Sequence, residues 1–441
     1  MGNFNNIKEL PTNTEDKYVV IGAGPAGIGG AKALKENGID FDAFEMGIDV
    51  GGLWNIKNPR STMYESAHLI SSKTMTEFKD FPMPEDTPDY PSHWQMCQYF
   101  KDYAKHFKLY DHYFFHTKVD NVEKNGDKWD VTITNENGTF TYTYKGVVIA
   151  NGTLAEPNIP TFKGEFTGDL VHACKYKKAD IFEGKRVLIV GAGNSGCDIA
   201  VDAVHRADKV HVSVRRGYYF IPKYVFGKPS DTIGGKLKFP RPIKQRLDAK
   251  ILKWFTGDPE RFGFPKPNYK MYESHPVINS LILHHIGQGD IKIQKDISHF
   301  EGKKVHFKDG TVEEYDVIML ATGYKLHYPF IDQKHLNWQG MAPEMYLNIF
   351  HPKHDNLFIL GMIEATGLGW EGRYEQARLM AKYIKGLKDG KSSAKRFQKK
   401  KQGANPDMTG GYKYLKLERM SFYVDKDTYR GLLAKETKTM A

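Results

Sequence analysis

The sequence predicts an α/β fold of two Rossmann-like units, the second inserted into the first. Three observations predict it. Two strand–turn–helix stretches carry the spacing G-x-G-x-x-G, at Gly22–Gly27 and at Gly191–Gly196. Each is followed by an apolar strand with charge at its end: Glu45 after the first, Arg215 and Arg216 after the second. Two further apolar strands, "GVVIANG" (146–152) and "DVIMLATGY" (316–324), run into small-residue turns on either side of the second motif. A chain that leaves one unit and later returns to it reads this way. The expected boundaries are 1–163 for the first part of the first unit, 164–320 for the insertion, and 321–441 for the return with its C-terminal helix and tail.

Tyr18–Ile21 opens the first unit as a short apolar strand. Gly22 allows the tight turn, Gly24 lets the backbone approach a pyrophosphate, and Gly27 lets helix and strand pack closely, with Ala26 in the same turn. The helix N-terminus then faces the anion. Ile28, Ala31 and Leu34 give one apolar helical face, and Gly38 closes it. Glu45, eighteen residues after Gly27, stands where an acid binds a ribose hydroxyl.

Gly191, Gly193 and Gly196 repeat the pattern, with Asn194 and Ser195 inside the turn. Arg215 and Arg216 occupy the place of the acid. A guanidinium there accommodates a 2′-phosphate, so the second site reads as one for NADP. Lys228 to Asn279 is rich in proline and aromatics without a period, and short helices and loops are expected. Residues 287–316 alternate like an antiparallel meander with turns at Gly302 and Asp309-Gly310. "YEQARLMAKYIKGLKDGK" (374–391) reads as an amphipathic helix ending near Gly386 or Gly390.

A formal net charge of +10 admits nucleic acid, a membrane surface or an anionic cofactor as partner. The basic residues are dispersed. The one dense run, "KRFQKKKQG" (395–403), reads as a solvated face, so nucleic acid is not expected. Cys97, Cys174 and Cys197 form neither a CxxC nor a metal pattern, and no metal is expected. No apolar run approaches the roughly 18 residues of a membrane span, and the first twenty residues lack a signal-peptide core. A cytoplasmic protein is expected, and a homodimer is compatible with the sequence. There is no Ser/His/Asp triad and no setting for a cysteine nucleophile.

Phe166, Gly168, His172 and Tyr176 lie between the two glycine motifs with the spacing F-x-G-x-x-x-H-x-x-x-aromatic. With "GLWN" (52–55), "LATGY" (320–324) and "YEQAR" (374–378), they make the chain resemble the flavin-containing monooxygenases, of soluble bacterial type, over nearly its whole length. The resemblance implies FAD in the first unit and NADPH in the second. It implies that NADPH reduces FAD, that dioxygen adds to the reduced flavin as a 4a-hydroperoxide, and that a small-molecule amine or sulfide takes the distal oxygen. Gly22, Gly24, Ala26 and Gly27 would then hold the FAD pyrophosphate and Glu45 its ribose. Gly52, Leu53 and Trp54 would flank the flavin, with Gln376 near the isoalloxazine edge. Gly191, Gly193, Asn194, Ser195 and Gly196 would hold NADPH, with Arg215 and Arg216 on its 2′-phosphate. The chemistry belongs to the cofactor, so no side chain is expected as catalyst. Ile70, Ser71 and Ser72 line the candidate site, with Ile70 where many relatives carry an Asn that contacts the flavin region. Ser71, Ser72 or His68 are the alternative suppliers of that polar contact. Baeyer–Villiger relatives usually end the fingerprint in Trp-Pro or Trp-Asp. Cys174-Lys175-Tyr176 stands here, which favours oxygenation of nitrogen or sulfur. Ketone oxygenation and uncoupled NADPH oxidation are the alternatives.

Overall fold

The computed structural model describes residues 10–233 and 240–440. Strands β1 (Tyr18–Ile21), β2 (Phe41–Phe44), β3 (Tyr113–Phe114) and β4 (Gly146–Ile149) pair in parallel in the order β4-β1-β2-β3. Every residue of β1, β2 and β4 is buried, as expected of a parallel sheet covered on both faces. Helix α1 (Pro25–Glu36) packs on one face. The antiparallel meander Lys118–Asn125, Lys128–Asn135, Gly138–Tyr144 contributes Val122, Trp129 and Val131 to the core on the other.

The chain then builds a second parallel sheet from β5 (Asp169–His172), β6 (Arg186–Val190), β7 (Lys209–Ser213), β8 (Ile291–Gln294) and β9 (Val317–Leu320), in the order β8-β7-β6-β9-β5. Helix α2 (Asn194–Val204) follows β6. The chain returns to the first sheet with β10 (Leu357–Ile359), which adds to the free edge of β4. It closes the first unit with a long helix, Gly369–Lys388, whose Ala377, Leu379 and Met380 share one core with Ile28, Ala31 and Leu34 of α1. The doubly wound α/β architecture expected from the two glycine motifs is the observed one.

Four local expectations are corrected. Residues 228–279 contain a 16-residue helix, α3 (Arg241–Thr256), although Gln245 is its only fully buried residue; its weak apolar periodicity hid it. Only 297–314 form the meander; Ile291–Gln294 is instead the edge strand β8, because its alternation serves the parallel partner β7. Helix α4 (Gly369–Lys388) ends between Gly386 and Gly390, as expected, but begins five residues before "YEQAR" and runs through Gly386, where a methyl would stand 2.9 Å from Ala394 Cβ. In the basic run, Lys401 is buried rather than solvated: its ammonium caps the carbonyls of His351 and Pro352 and pairs with Asp355 at 3.0 Å.

The fingerprint segment is itself structural. It forms β5 at the edge of the second sheet, and Phe166 packs on Phe300. A methyl on Gly168 would meet the Asp316 carbonyl oxygen at 2.6 Å. The outgoing and returning crossings between the units pair with each other, Glu156–Pro157 against Tyr324–Lys325.

Candidate active site

A cavity of about 460 Å³ opens where the units meet. Its floor is the first glycine turn. Gly22 has φ +108°, and a Cβ there would lie 2.6 Å from the Ala150 carbonyl oxygen, so only glycine fits. A Cβ on Gly27 would lie 1.9 Å from the Gly22 carbonyl oxygen, which keeps α1 tight on its strand. Helix α1 starts at Gly24 without a side-chain cap, leaving its first N–H groups for a ligand; α2 starts at Gly193 in the same way.

Glu45 sits buried at the edge of this cavity. Its two carboxylate oxygens accept N–H bonds from Ala23 and Gly47, each at 2.7 Å. Burial pushes its pKa up, and the two N–H groups pull it back. The turn Gly52–Trp54 lies directly on the first glycine turn: a Cβ on Gly52 would stand 2.8 Å from Gly24 Cα. Trp54 meets Trp370 edge-on at 6.0 Å, and both rings line the cavity.

Ile70 and Ser71 also line the cavity. Thr76 Oγ1 donates to the Ser72 carbonyl, so the 2.7 Å contact between Ser71 and Thr76 hydroxyls takes the Ser71 proton inward. Ser72 does not belong to the cavity lining. It is buried at the start of the short helix Lys73–Thr76, with its N–H on the Asp231 carboxylate. Gln376 is likewise outside the lining. It is fully buried, with its carbonyl oxygen on the Gly361 N–H at 3.0 Å and its amide on Tyr429 at 2.8 Å. Its partner Gly361 does line the cavity.

From the second unit come Asn194, Ser195 and Asp198. The Asn194 side chain is committed to the chain at 276–278, accepting from Ile278 N–H at 2.7 Å and donating to the Pro276 carbonyl at 3.2 Å. Only its backbone is left for a ligand. Gly191 has φ +102°, and a Cβ on Gly196 would meet its carbonyl oxygen at 2.1 Å, repeating the first turn. Arg215 is exposed and Arg216 half-buried just past β7. Neither forms an ion pair among the described residues, and neither belongs to the cavity lining. His172 Nδ1 accepts from Cys174 N–H at 3.1 Å, so Nε2 carries the proton and donates to the Gly323 carbonyl at 3.1 Å. Both nitrogens hold the crossing, and burial lowers the pKa.

The sequence reading missed Asp198, Tyr64, His275, Glu364, Arg373 and Arg419, all of which line the cavity. Asp198 accepts from Tyr64 at 2.9 Å and Asn279 at 2.6 Å. Asp198 follows the second glycine motif by two residues and could have been found from it. The others lie far apart in the chain, and no local pattern marks them.

The glycine cradles, the uncapped helix starts and Glu45 suit a dinucleotide. The flavin-binding monooxygenase-like family matches over residues 15–422. The chain belongs to this family. A dimethylaniline monooxygenase [N-oxide-forming] 2 from Oryctolagus cuniculus is 32% identical over 394 residues, covering 84% of this chain and 74% of the relative. Flavin-containing monooxygenase 1 from Homo sapiens is also 32% identical over 394 residues, with the same coverage. Among solved structures, the open form of cyclohexanone monooxygenase superposes with a TM-score of 0.70 at 19% identity, covering 96% of this chain and 98% of its own. S-allyl-L-cysteine S-oxygenase from Allium sativum gives 0.66 at 20%, covering 96% and 88%. The chain is thus a flavin monooxygenase, an oxidoreductase that works with FAD, NADPH, dioxygen and a small molecule. No helix among the described residues is long and apolar enough to cross a membrane.

Proposed function

We propose that this monooxygenase transfers oxygen to soft nitrogen or sulfur atoms of small molecules. The observation that carries this reading is the end of the fingerprint. Tyr176, not the Trp-Pro or Trp-Asp usual in ketone oxygenases, is buried there with its hydroxyl on Asp202 at 2.8 Å. The N-oxide-forming activity in the name of a relative at 32% identity supports the same choice.

Segments 1–163 and 321–441 form the FAD unit in this reading, and 164–320 the NADP unit. The turn Gly22–Gly27 holds the FAD pyrophosphate, Glu45 its ribose, and Gly52–Trp54 flank the ring. The Gly191–Gly196 turn holds NADPH by backbone N–H groups, and Arg215 and Arg216 take its 2′-phosphate. Bound flavin supplies the redox chemistry and the activation of dioxygen. The chain's own part is to position and to keep water out, with Trp54, Trp370, Leu69 and Ile70 as the apolar wall. His172 and its two backbone partners fix the crossing between the units and move no proton.

The test is a panel of a tertiary amine, a sulfide and a cyclic ketone, with NADPH and oxygen consumption compared with product. N-oxide or sulfoxide is expected. Lactone from the ketone, without N-oxide or sulfoxide, refutes the reading.

A further inference from the structure

Charged and polar side chains from four separate parts of the chain converge on one end of the cavity. Glu364 follows β10, Arg373 lies near the start of α4, Arg419 comes from the C-terminal segment, and His275 comes from the second unit. An Arg419 Nη donates to the Glu364 carboxylate at 2.8 Å. Arg373 donates to the carbonyls of Gly369 at 3.0 Å and Ile363 at 3.4 Å, and its guanidinium lies 5.3 Å from the Trp370 ring centre. His275 Nδ1 is 3.1 Å from the Tyr423 hydroxyl, which is 2.8 Å from that of Thr366.

Two polar atoms in this group are closed off from solvent and have no hydrogen-bond partner: Nε of Arg419 and Nε2 of His275. The charge is also unbalanced. Burial, helped by the Arg419 charge, lowers the His275 pKa to about 3, so the imidazole is neutral. Arg419 and Arg373 hold Glu364 ionised against its burial. Two guanidiniums therefore face one carboxylate, beside the apolar surfaces of Trp370, Leu368 and Ile278. Arg419 keeps 37% of its side-chain surface accessible, so a solute entering the cavity can reach its guanidinium. A ligand anion balances the second positive charge, and a guanidinium fork suits a carboxylate. The cofactor phosphates already have seats at the two glycine turns and at Arg215 and Arg216.

We propose that this end of the cavity binds the carboxylate of the substrate, so that the preferred substrates are sulfides or amines bearing a carboxylate group. This rests on the nitrogen and sulfur reading above. Arg419 and Arg373 receive the carboxylate oxygens, Glu364 keeps Arg419 in place, and His275 closes the site from the second unit. The reacting heteroatom then lies a short aliphatic chain away from the anion.

The test uses FAD-loaded protein and a matched pair, 3-(methylthio)propanoate and its uncharged amide. Binding is followed first by perturbation of the flavin absorbance without NADPH, then by kcat/KM. Wild type is expected to bind the carboxylate at least about tenfold more tightly than the amide. Arg419→Gln and Arg373→Gln should each lower carboxylate binding about tenfold or more and amide binding by much less. Equal binding of the two compounds by wild type overturns the proposal without any variant having to fold. A variant that weakens both compounds alike, or that changes FAD content, assigns the arginines to the cofactor and overturns it too. A wild type that binds the carboxylate selectively but oxygenates neither compound upholds the anion site and refutes the nitrogen and sulfur reading instead.

Discussion

Gly27→Ala tests the floor of the site with a single methyl. That methyl would stand 1.9 Å from the Gly22 carbonyl oxygen and 2.8 Å from its carbon. Both are backbone atoms of the turn, and neither can rotate away. To regain even 3.0 Å, α1 must withdraw from the turn by roughly an ångström. Overpacking of this kind costs about 1–3 kcal/mol and occasionally more. Here the shift also pulls the first N–H groups of the helix off the pyrophosphate. Gly29→Ala, two residues along the same helix, is the control. Its methyl would lie 3.8 Å from Tyr374 Cα and 3.9 Å from the Phe78 ring, an ordinary contact. Alanine in place of glycine inside a helix stabilises by about 1 kcal/mol. The assay is bound FAD per chain, from chromophore released on denaturation, together with the thermal midpoint. Gly27→Ala is expected to lose most of its FAD and several degrees of Tm; Gly29→Ala should keep its FAD and gain slightly. A Gly27→Ala protein with one FAD per chain and the wild-type Tm refutes the reasoning.

Arg215→Ala should lower kcat/KM for NADPH about tenfold or more and leave NADH unchanged, since a charge-assisted contact is worth roughly 1.5–3 kcal/mol. Equal use of both cofactors by wild type counts against the assignment. Ile70 offers no hydrogen bond and Ser71 gives its proton to Thr76, so wild type should release hydrogen peroxide alongside product. Ile70→Asn should lower peroxide per NADPH a few-fold, as about 1 kcal/mol of added hydrogen bonding implies; a rise in peroxide means that Ile70 is not the missing contact. Burial lowers the pKa of His211 to about 4 and of His351 to about 3, so folding keeps both neutral. Their contribution to stability is present above the ordinary imidazole value of about 6.5 and is lost as pH falls toward those lower values. Unfolding free energies from urea titration at pH 7.5 and pH 5 should differ, by up to about 1.4 kcal/mol per pH unit for each histidine below pH 6.5, and His211→Asn should flatten the slope. A free energy that does not move with pH would rule this out.

The parallel strands and both glycine turns were legible because their causes are local. β1, β4 and β9 are unbroken apolar runs, and glycines at Gly22 and Gly191 meet a steric demand made by neighbouring residues. Helix α3 was not legible, since a nearly unburied helix has little apolar stripe to show. Lys401 looked solvated because nothing in its own stretch announces the carbonyls of His351 and Pro352. Gln376 was placed at the flavin edge by resemblance, while its two partners, Gly361 and Tyr429, lie fifteen and fifty-three residues away. The charged end of the cavity was invisible for the same reason. His275, Glu364 and Arg419 meet only once both units have folded.

The first sheet is completed by a strand that the ribosome makes late. Between the end of β4 and the start of β10 the chain lays down the whole second unit, some two hundred residues. At about 5–20 residues per second, synthesis of that stretch takes roughly 10–40 seconds. During that interval β4 has an unpaired edge, and the apolar face of α1 lacks the α4 helix that covers it. An open apolar strand edge invites pairing with another chain. The inserted unit can fold in the meantime, because its five strands are contiguous in synthesis. Nascent chains released between residues 150 and 356 should therefore aggregate, while chains that reach the end of α4 should not. The same order of events makes the second unit a folding platform. It brings the two crossings together as a paired ribbon and so delivers β10 to the edge that has been waiting for it.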